Sequence, residues 1–116
     1  MDDQESFRSA ARLVIEMADG FELVGEAESA EEGLDLADEL APDLVLMDIN
    51  LPGIDGLEAT RRLVADDTAR VIVLSTYEAA EYEARSRAAG AVAFMSKSDF
   101  EPEKLGQVWE QSLATD

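Results

Sequence analysis

The sequence contains no histidine and no cysteine. That excludes a Ser-His-Asp triad, a thiolate nucleophile and an ordinary zinc site. No GxSxG, GxxxxGK or GxGxxG run occurs, so the nucleophile elbow, the phosphate-binding loop and the dinucleotide fingerprint are missing as well. No apolar run approaches the ~20 residues of a membrane-spanning helix. The amino-terminal MDDQESFR has neither the basic start nor the apolar stretch of a signal peptide, which makes the cytoplasm the default compartment. Basic residues are scarce, nine against 27 acidic ones, for a net charge of -18. Phosphate backbones and anionic lipids repel such a chain, so direct nucleic-acid or membrane binding by this domain is not expected. The acidity reads either as solubility, or a salt-rich or high-GC source, or as a site for a cation or a basic partner.

What is present suffices for one folded domain. The chain has 116 residues, 47% of them hydrophobic, with no repeat, low-complexity stretch or linker. Apolar spacing predicts a helix over 4–18, with Phe7, Ala11, Val14 and Ala18 on one face and a stop at the Asp19-Gly20 pair. A strand is predicted over 21–27. A helix over 30–41 follows, with Leu34, Ala37 and Ala41 facing in, Ser29 as N-cap, Glu32 as its capping-box partner and Pro42 as the stop. Residues 43–47, 70–75 and 91–96 are short, continuously apolar runs, the pattern of strands buried on both faces. Helices are predicted over 56–65, 78–89 (Ala-rich, stopped by Gly90) and 101–113, the last with Leu105, Val108, Trp109 and Ser112 aligned. Strands alternating with helices in this way imply an α/β fold, a parallel sheet covered by helices on both faces. Ligands of such sheets bind beyond the carboxyl ends of the strands.

Asp48, Ser75 and Lys97 follow the three buried runs, and Asp2 and Asp3 precede the first helix. Each has a plain structural role available: turn former, cap or solvated charge. Together they place three carboxylates, a hydroxyl and an ammonium at one edge. Two carboxylates about 4 Å apart repel by roughly 4 kcal/mol at an effective dielectric near 20. A divalent cation with oxygen ligands relieves that repulsion, and magnesium suits one or two carboxylates plus phosphate oxygens. An Asp carboxylate can itself act as a nucleophile and form an acyl phosphate.

The motifs DD (2–3), LVLMDINLPGIDGLEATRRL (44–63), VIVLS (71–75) and GAVAFMSK (90–97) resemble the receiver domain of two-component response regulators. The resemblance covers 1–116 as a single domain and is strongest to the branch that includes nitrate-response regulators. It implies a flavodoxin-like three-layer sandwich. It implies that Asp48 accepts a phosphoryl group from a sensor histidine kinase, with Mg2+ held by Asp2, Asp3, Asp48 and the backbone carbonyl of Asn50. Ser75 and Lys97 would engage the phosphoryl oxygens, and Phe94 would rotate inward as Ser75 moves. Pro52 and Gly53 would shape the loop, and Asn50 and Tyr77 would tune the lifetime of the phosphoryl group. The face over 78–113 would meet an output domain or a partner protein. The only catalysis implied is phosphotransfer to, and hydrolysis from, the domain's own Asp.

The sequence departs from the family in one large respect. Family members have a strand before the Asp pair, and only Met1 precedes it here. The chain therefore reads as truncated at its amino end. Three readings stand: a start assigned one strand too late, a recorded chain that begins late for another reason, or a true loss repaired by swapping or homodimerisation. Lys97 is followed by Ser98 where many receivers carry proline, and Ser96 replaces a larger apolar residue. Two other functions compete. An Asp-nucleophile phosphatase wants a second Asp where Asn50 stands, and a receiver-like module could bind a partner without being phosphorylated.

Overall fold

The computed structural model describes residues 1–51, 54–66, 69–76 and 80–114. Pro52, Gly53 and Tyr77 lie outside the described residues. The elements in order are α1 (Glu5–Met17), α2 (Ala30–Leu40), β1 (Leu44–Asp48), α3 (Gly56–Ala65), β2 (Arg70–Ser75), α4 (Ala80–Ala88), β3 (Ala93–Ser96) and α5 (Pro102–Ala114), with a 3-10 turn at Lys97–Asp99. The strands form one parallel sheet in the order β1-β2-β3. This is the helix-covered parallel sheet expected from the apolar runs, in the flavodoxin-like layering that the family resemblance implies.

The continuous apolarity of the strands now has a cause. Side chains alternate between the two faces of a strand, and here both faces are covered. Val45, Met47, Val71 and Val73 pack with Ala37, Leu57, Ala59 and Leu63 beneath α2 and α3. Leu44, Leu46, Ile72, Leu74, Ala93 and Met95 pack with Phe7, Ala11, Val14, Ala18, Leu105 and Val108 beneath α1 and α5. Asp48 pairs in register with Leu74, and Ser75 with Ser96, so the polar residues cluster where the apolar runs end.

Local signals account for several boundaries. Ser29 Oγ accepts the Glu32 amide at 3.2 Å, the cap read from the sequence. Asp55 caps α3 by accepting the Glu58 amide at 2.8 Å. Ser96 caps the 3-10 turn through the Ser98 amide at 3.3 Å, and the two hydroxyls lie 2.8 Å apart. A hydroxyl at 96 thus has a local task that a larger apolar side chain could not perform.

Two expectations fail. Residues 21–27 form no strand. Their one long-range backbone bond among the described residues runs from the Asp2 amide to the Ala27 carbonyl, at 3.0 Å. A strand needs a ladder along its length, and apolar content alone does not supply one. Ala41 does not face the core either. It takes the left-handed conformation, φ 48, as the exposed C-cap of α2, and returns its amide to the Ala37 carbonyl at 2.9 Å.

Candidate functional site

The carboxyl edge of the sheet brings together four of the residues singled out in the sequence. β1 delivers Asp48, which is buried. The 3-10 turn after β3 delivers Lys97. The segment ahead of α1 delivers Asp2, also buried, and Asp3, which is exposed. One oxygen from each of Asp2, Asp3 and Asp48 lies within 4.8 Å of the other two. Lys97 Nζ stands 2.7 Å from Asp2 Oδ2 and 3.7 Å from Asp48 Oδ2. Ser75 is fully buried at the end of β2, one position past the residue paired with Asp48. Phe94, in register with Val73, is half-buried and packs against the core cluster on the α2–α3 side of the sheet.

The chain end that carries the acidic pair is tied down from several sides. The Met1 amine donates to the Leu46 carbonyl at 2.7 Å, and the Asp48 amide donates to the Met1 carbonyl at 2.9 Å. Asp2 Oδ1 accepts the Gln4 amide at 2.8 Å, and Arg8 Nη1 donates to the Asp2 carbonyl at 2.6 Å. Asp2 therefore does two jobs. One oxygen organises the entry to α1, and the other faces the acidic cluster.

Burial raises the pKa of the Asp48 carboxyl above the ordinary carboxylate value. The Asn50 amide, donating to Oδ1 at 3.2 Å, opposes that shift, the Asp2 charge adds to it, and Lys97 offsets part of it. Burial likewise lowers the pKa of the Met1 ammonium. Asp2 Oδ2 is buried and, among the described residues, is met by the Lys97 ammonium at 2.7 Å with no further hydrogen-bond donor on it. An all-oxygen donor set with one oxygen left in this state fits a hard cation. Asn50 occupies the turn after β1, beside the cluster.

Several supporting residues escaped the sequence reading. Gln4 Oε1 accepts from Lys97 Nζ at 3.3 Å, and the ammonium lies 4.6 Å from the centre of the Phe7 ring. Phe7 was legible only as a core residue, because helical spacing says nothing about what lies over its ring. Gly56 was legible only as the start of a helix. A Cβ there would run into the Asp48 backbone carbonyl, so glycine lets α3 begin against the carboxyl end of β1.

A family model for the response regulator receiver domain matches residues 1–110. The chain is 40% identical over 98 residues to the response regulator GacA of Pseudomonas viridiflava, covering 84% of this chain and 46% of that protein. It is 36% identical over 115 residues to the nitrate/nitrite response regulator NarL of Escherichia coli K12, covering 98% and 53%. The chain thus spans about half the length of the curated relatives it matches. Among solved structures, a LuxR-family two-component response regulator from Aurantimonas superposes with a TM-score of 0.86 at 36% identity, over 98% of this chain and 81% of that one. The response regulator domain of Thermotoga maritima CheB superposes with a TM-score of 0.85 at 28% identity, over 99% and 93%.

Proposed function

This chain belongs to the response regulator receiver domain family, whose general role is to accept a phosphoryl group in two-component signalling, and we propose that Asp48 is its phosphoacceptor. The observation that carries this reading is the convergence of Asp48, Asp2, Asp3 and Lys97 on one strand edge. The donor would be a phosphohistidine of a sensor kinase. An Asp48 carboxylate oxygen forms a bond to phosphorus as the bond from phosphorus to the imidazole nitrogen breaks. The electron pair leaves on the imidazole, and an acyl phosphate remains on Asp48.

Each neighbour has a physical task in that step. Asp2 and Asp3, with Asp48 and the Asn50 carbonyl, would hold Mg2+. The ion, when bound, supplies the positive charge that three clustered carboxylates and an incoming phosphoryl group need. Lys97 is placed to shift from Asp2 toward a phosphoryl oxygen, forming a charge-assisted bond that exists only in the phosphorylated state. Ser75 would donate its hydroxyl to another of those oxygens. A phosphoryl group adds about -1.5 to -2 charges and three acceptor oxygens. That difference in bonding is what biases one conformation over another. Phe94 would move inward behind Ser75, and the exposed surface of α4, β3 and α5 would report the change to an output domain or partner protein. The domain's chemistry would be confined to its own aspartate, without turnover of an outside substrate. We further assign 1–116 to a single domain working in the cytoplasm.

Intact mass after incubation with acetyl phosphate and magnesium tests the reading, run beside Asp48→Asn. A phosphoryl mass increment in the parent and none in the variant is expected. An increment that survives in the variant, or none in either, would sink it.

A further inference from the structure

A long basic side chain is seldom buried unless its donors are met. Arg8, at the end of the first turn of α1, is 10% exposed, and its donors are shared between one backbone oxygen and three carboxylates. Nη1 donates to the Asp2 carbonyl at 2.6 Å. Nη2 meets Glu28 Oε1 at 3.2 Å and also Glu5 Oε2, and Nε faces Glu26 Oε1 at 3.5 Å. One planar group thus joins the acidic pair, the start of α1 and the 26–28 segment.

These contacts are not equivalent. Glu5 and Glu28 are 63% and 71% exposed, and ion pairs of that kind are worth little. The Asp2 carbonyl accepts a charge-assisted bond from a nearly buried donor, which is the stronger kind. That oxygen belongs to the peptide between Asp2 and Asp3, which is planar and rigid. Fixing the oxygen fixes the direction in which the chain leaves for Asp3. Asp3 needs such a constraint. Its side chain is exposed, and among the described residues no hydrogen bond holds its carboxylate, yet one of its oxygens lies within 4.8 Å of oxygens of Asp2 and Asp48.

Charge alone gives Arg8 no reason to stand there, since a guanidinium beside a cation site repels the cation. Glu5, Glu26 and Glu28 surround it, and Arg12 shares two of them, Glu26 at 2.6 Å and Glu5 at 2.9 Å. Three carboxylates meet two guanidinium groups, so the network carries no excess positive charge. We propose, on the reading that Asp2, Asp3 and Asp48 hold magnesium, that Arg8 is a positioning residue for that site. By holding the Asp2–Asp3 peptide it sets the Asp3 carboxylate against those of Asp2 and Asp48. Lysine cannot substitute, because a single ammonium on a flexible stem lacks the fork that reaches a carbonyl and several carboxylates at once.

The test follows the Asp48 and Asn50 amide chemical shifts against magnesium at constant ionic strength, in the parent, Arg8→Lys, Arg8→Gln and Arg12→Gln. Partners that orient metal ligands are worth roughly tenfold to a hundredfold in metal affinity, so both Arg8 variants should raise the magnesium Kd by about tenfold or more. Arg12→Gln breaks pairs in the same network without touching Asp2, and should keep the parent's Kd. A role in charge alone has the opposite sign: Arg8→Gln would bind magnesium more tightly and Arg8→Lys like the parent, and either result overturns the proposal. An equal loss in Arg12→Gln would overturn it too, because the ion-pair network as a whole would then be responsible. Arg8→Lys keeps the charge and carries the test if Arg8→Gln does not fold. A parent without any magnesium-dependent shift would bring down the magnesium site together with the proposal, whereas equal binding by the parent and both Arg8 variants would remove the role of Arg8 alone.

Discussion

Lys97 Nζ lies 1.0 Å closer to Asp2 than to Asp48, at 2.7 Å against 3.7 Å. The lysine ammonium thus serves the proposed metal-side carboxylate first and the proposed nucleophile second. Asp48 is left buried and incompletely neutralised, which favours its protonated form and primes the site for an added cation.

That arrangement sets a pH dependence. A carboxyl whose folded pKa is raised binds its proton more tightly in the folded state than in the unfolded one. Folding stability should therefore fall as pH rises from the ordinary carboxylate value through the raised one. In chelator, Asp48→Asn should abolish this fall and be the more stable protein at pH 7. Urea titrations of both proteins from pH 4 to 7 check it, and parallel curves would refute it.

Magnesium should act in the opposite sense on the parent. A ligand that binds only the folded state stabilises it by about 2.7 kcal/mol at a hundredfold excess over Kd. The parent's thermal midpoint should climb with magnesium at neutral pH, and Asp2→Asn and Asp48→Asn should respond weakly. Equal responses from all three would place the ion elsewhere.

Lys97→Gln removes the ammonium that stands 2.7 Å from a buried Asp2 carboxylate oxygen. Leaving such a group without its partner costs about 2 kcal/mol. Chelator should expose the full loss in urea unfolding, and magnesium should recover part of it. An undiminished stability would mean that Lys97 contributes nothing to holding Asp2 in place.

Gly56→Ala puts a methyl group against the Asp48 carbonyl, a backbone atom that cannot swing aside. Overpacking of this kind costs about 1–3 kcal/mol. Because the atom displaced belongs to the proposed phosphoacceptor, phosphorylation by acetyl phosphate should slow as well. A destabilised variant with an unchanged phosphorylation rate would confine Gly56 to packing.

Ser29→Ala tests a feature that was legible at once. It removes the oxygen that accepts the Glu32 amide, and should cost about 1 kcal/mol with no effect on phosphorylation. Chemical denaturation and the mass assay together check both halves.

The sequence by itself determined the layering and the position of the reactive edge. Runs such as Leu44–Met47 and Val71–Leu74 are apolar at every position, and only a strand covered on both faces tolerates that. Ser29 and Asp48 were readable because a cap and a strand end are local features. Tertiary structure decided the rest. It gave Lys97 to Asp2 ahead of Asp48, set Phe7 beneath the ammonium, made Gly56 a point of backbone contact and turned Ala41 outward. It also left 21–27 without a ladder, although its composition suits a strand. Ala41 follows from the left-handed turn that ends α2, and one physical reason is common to the other four. Periodicity reports which side of an element is apolar, whereas ion pairing, close approach and strand pairing depend on distances between segments remote in the chain, which only packing sets.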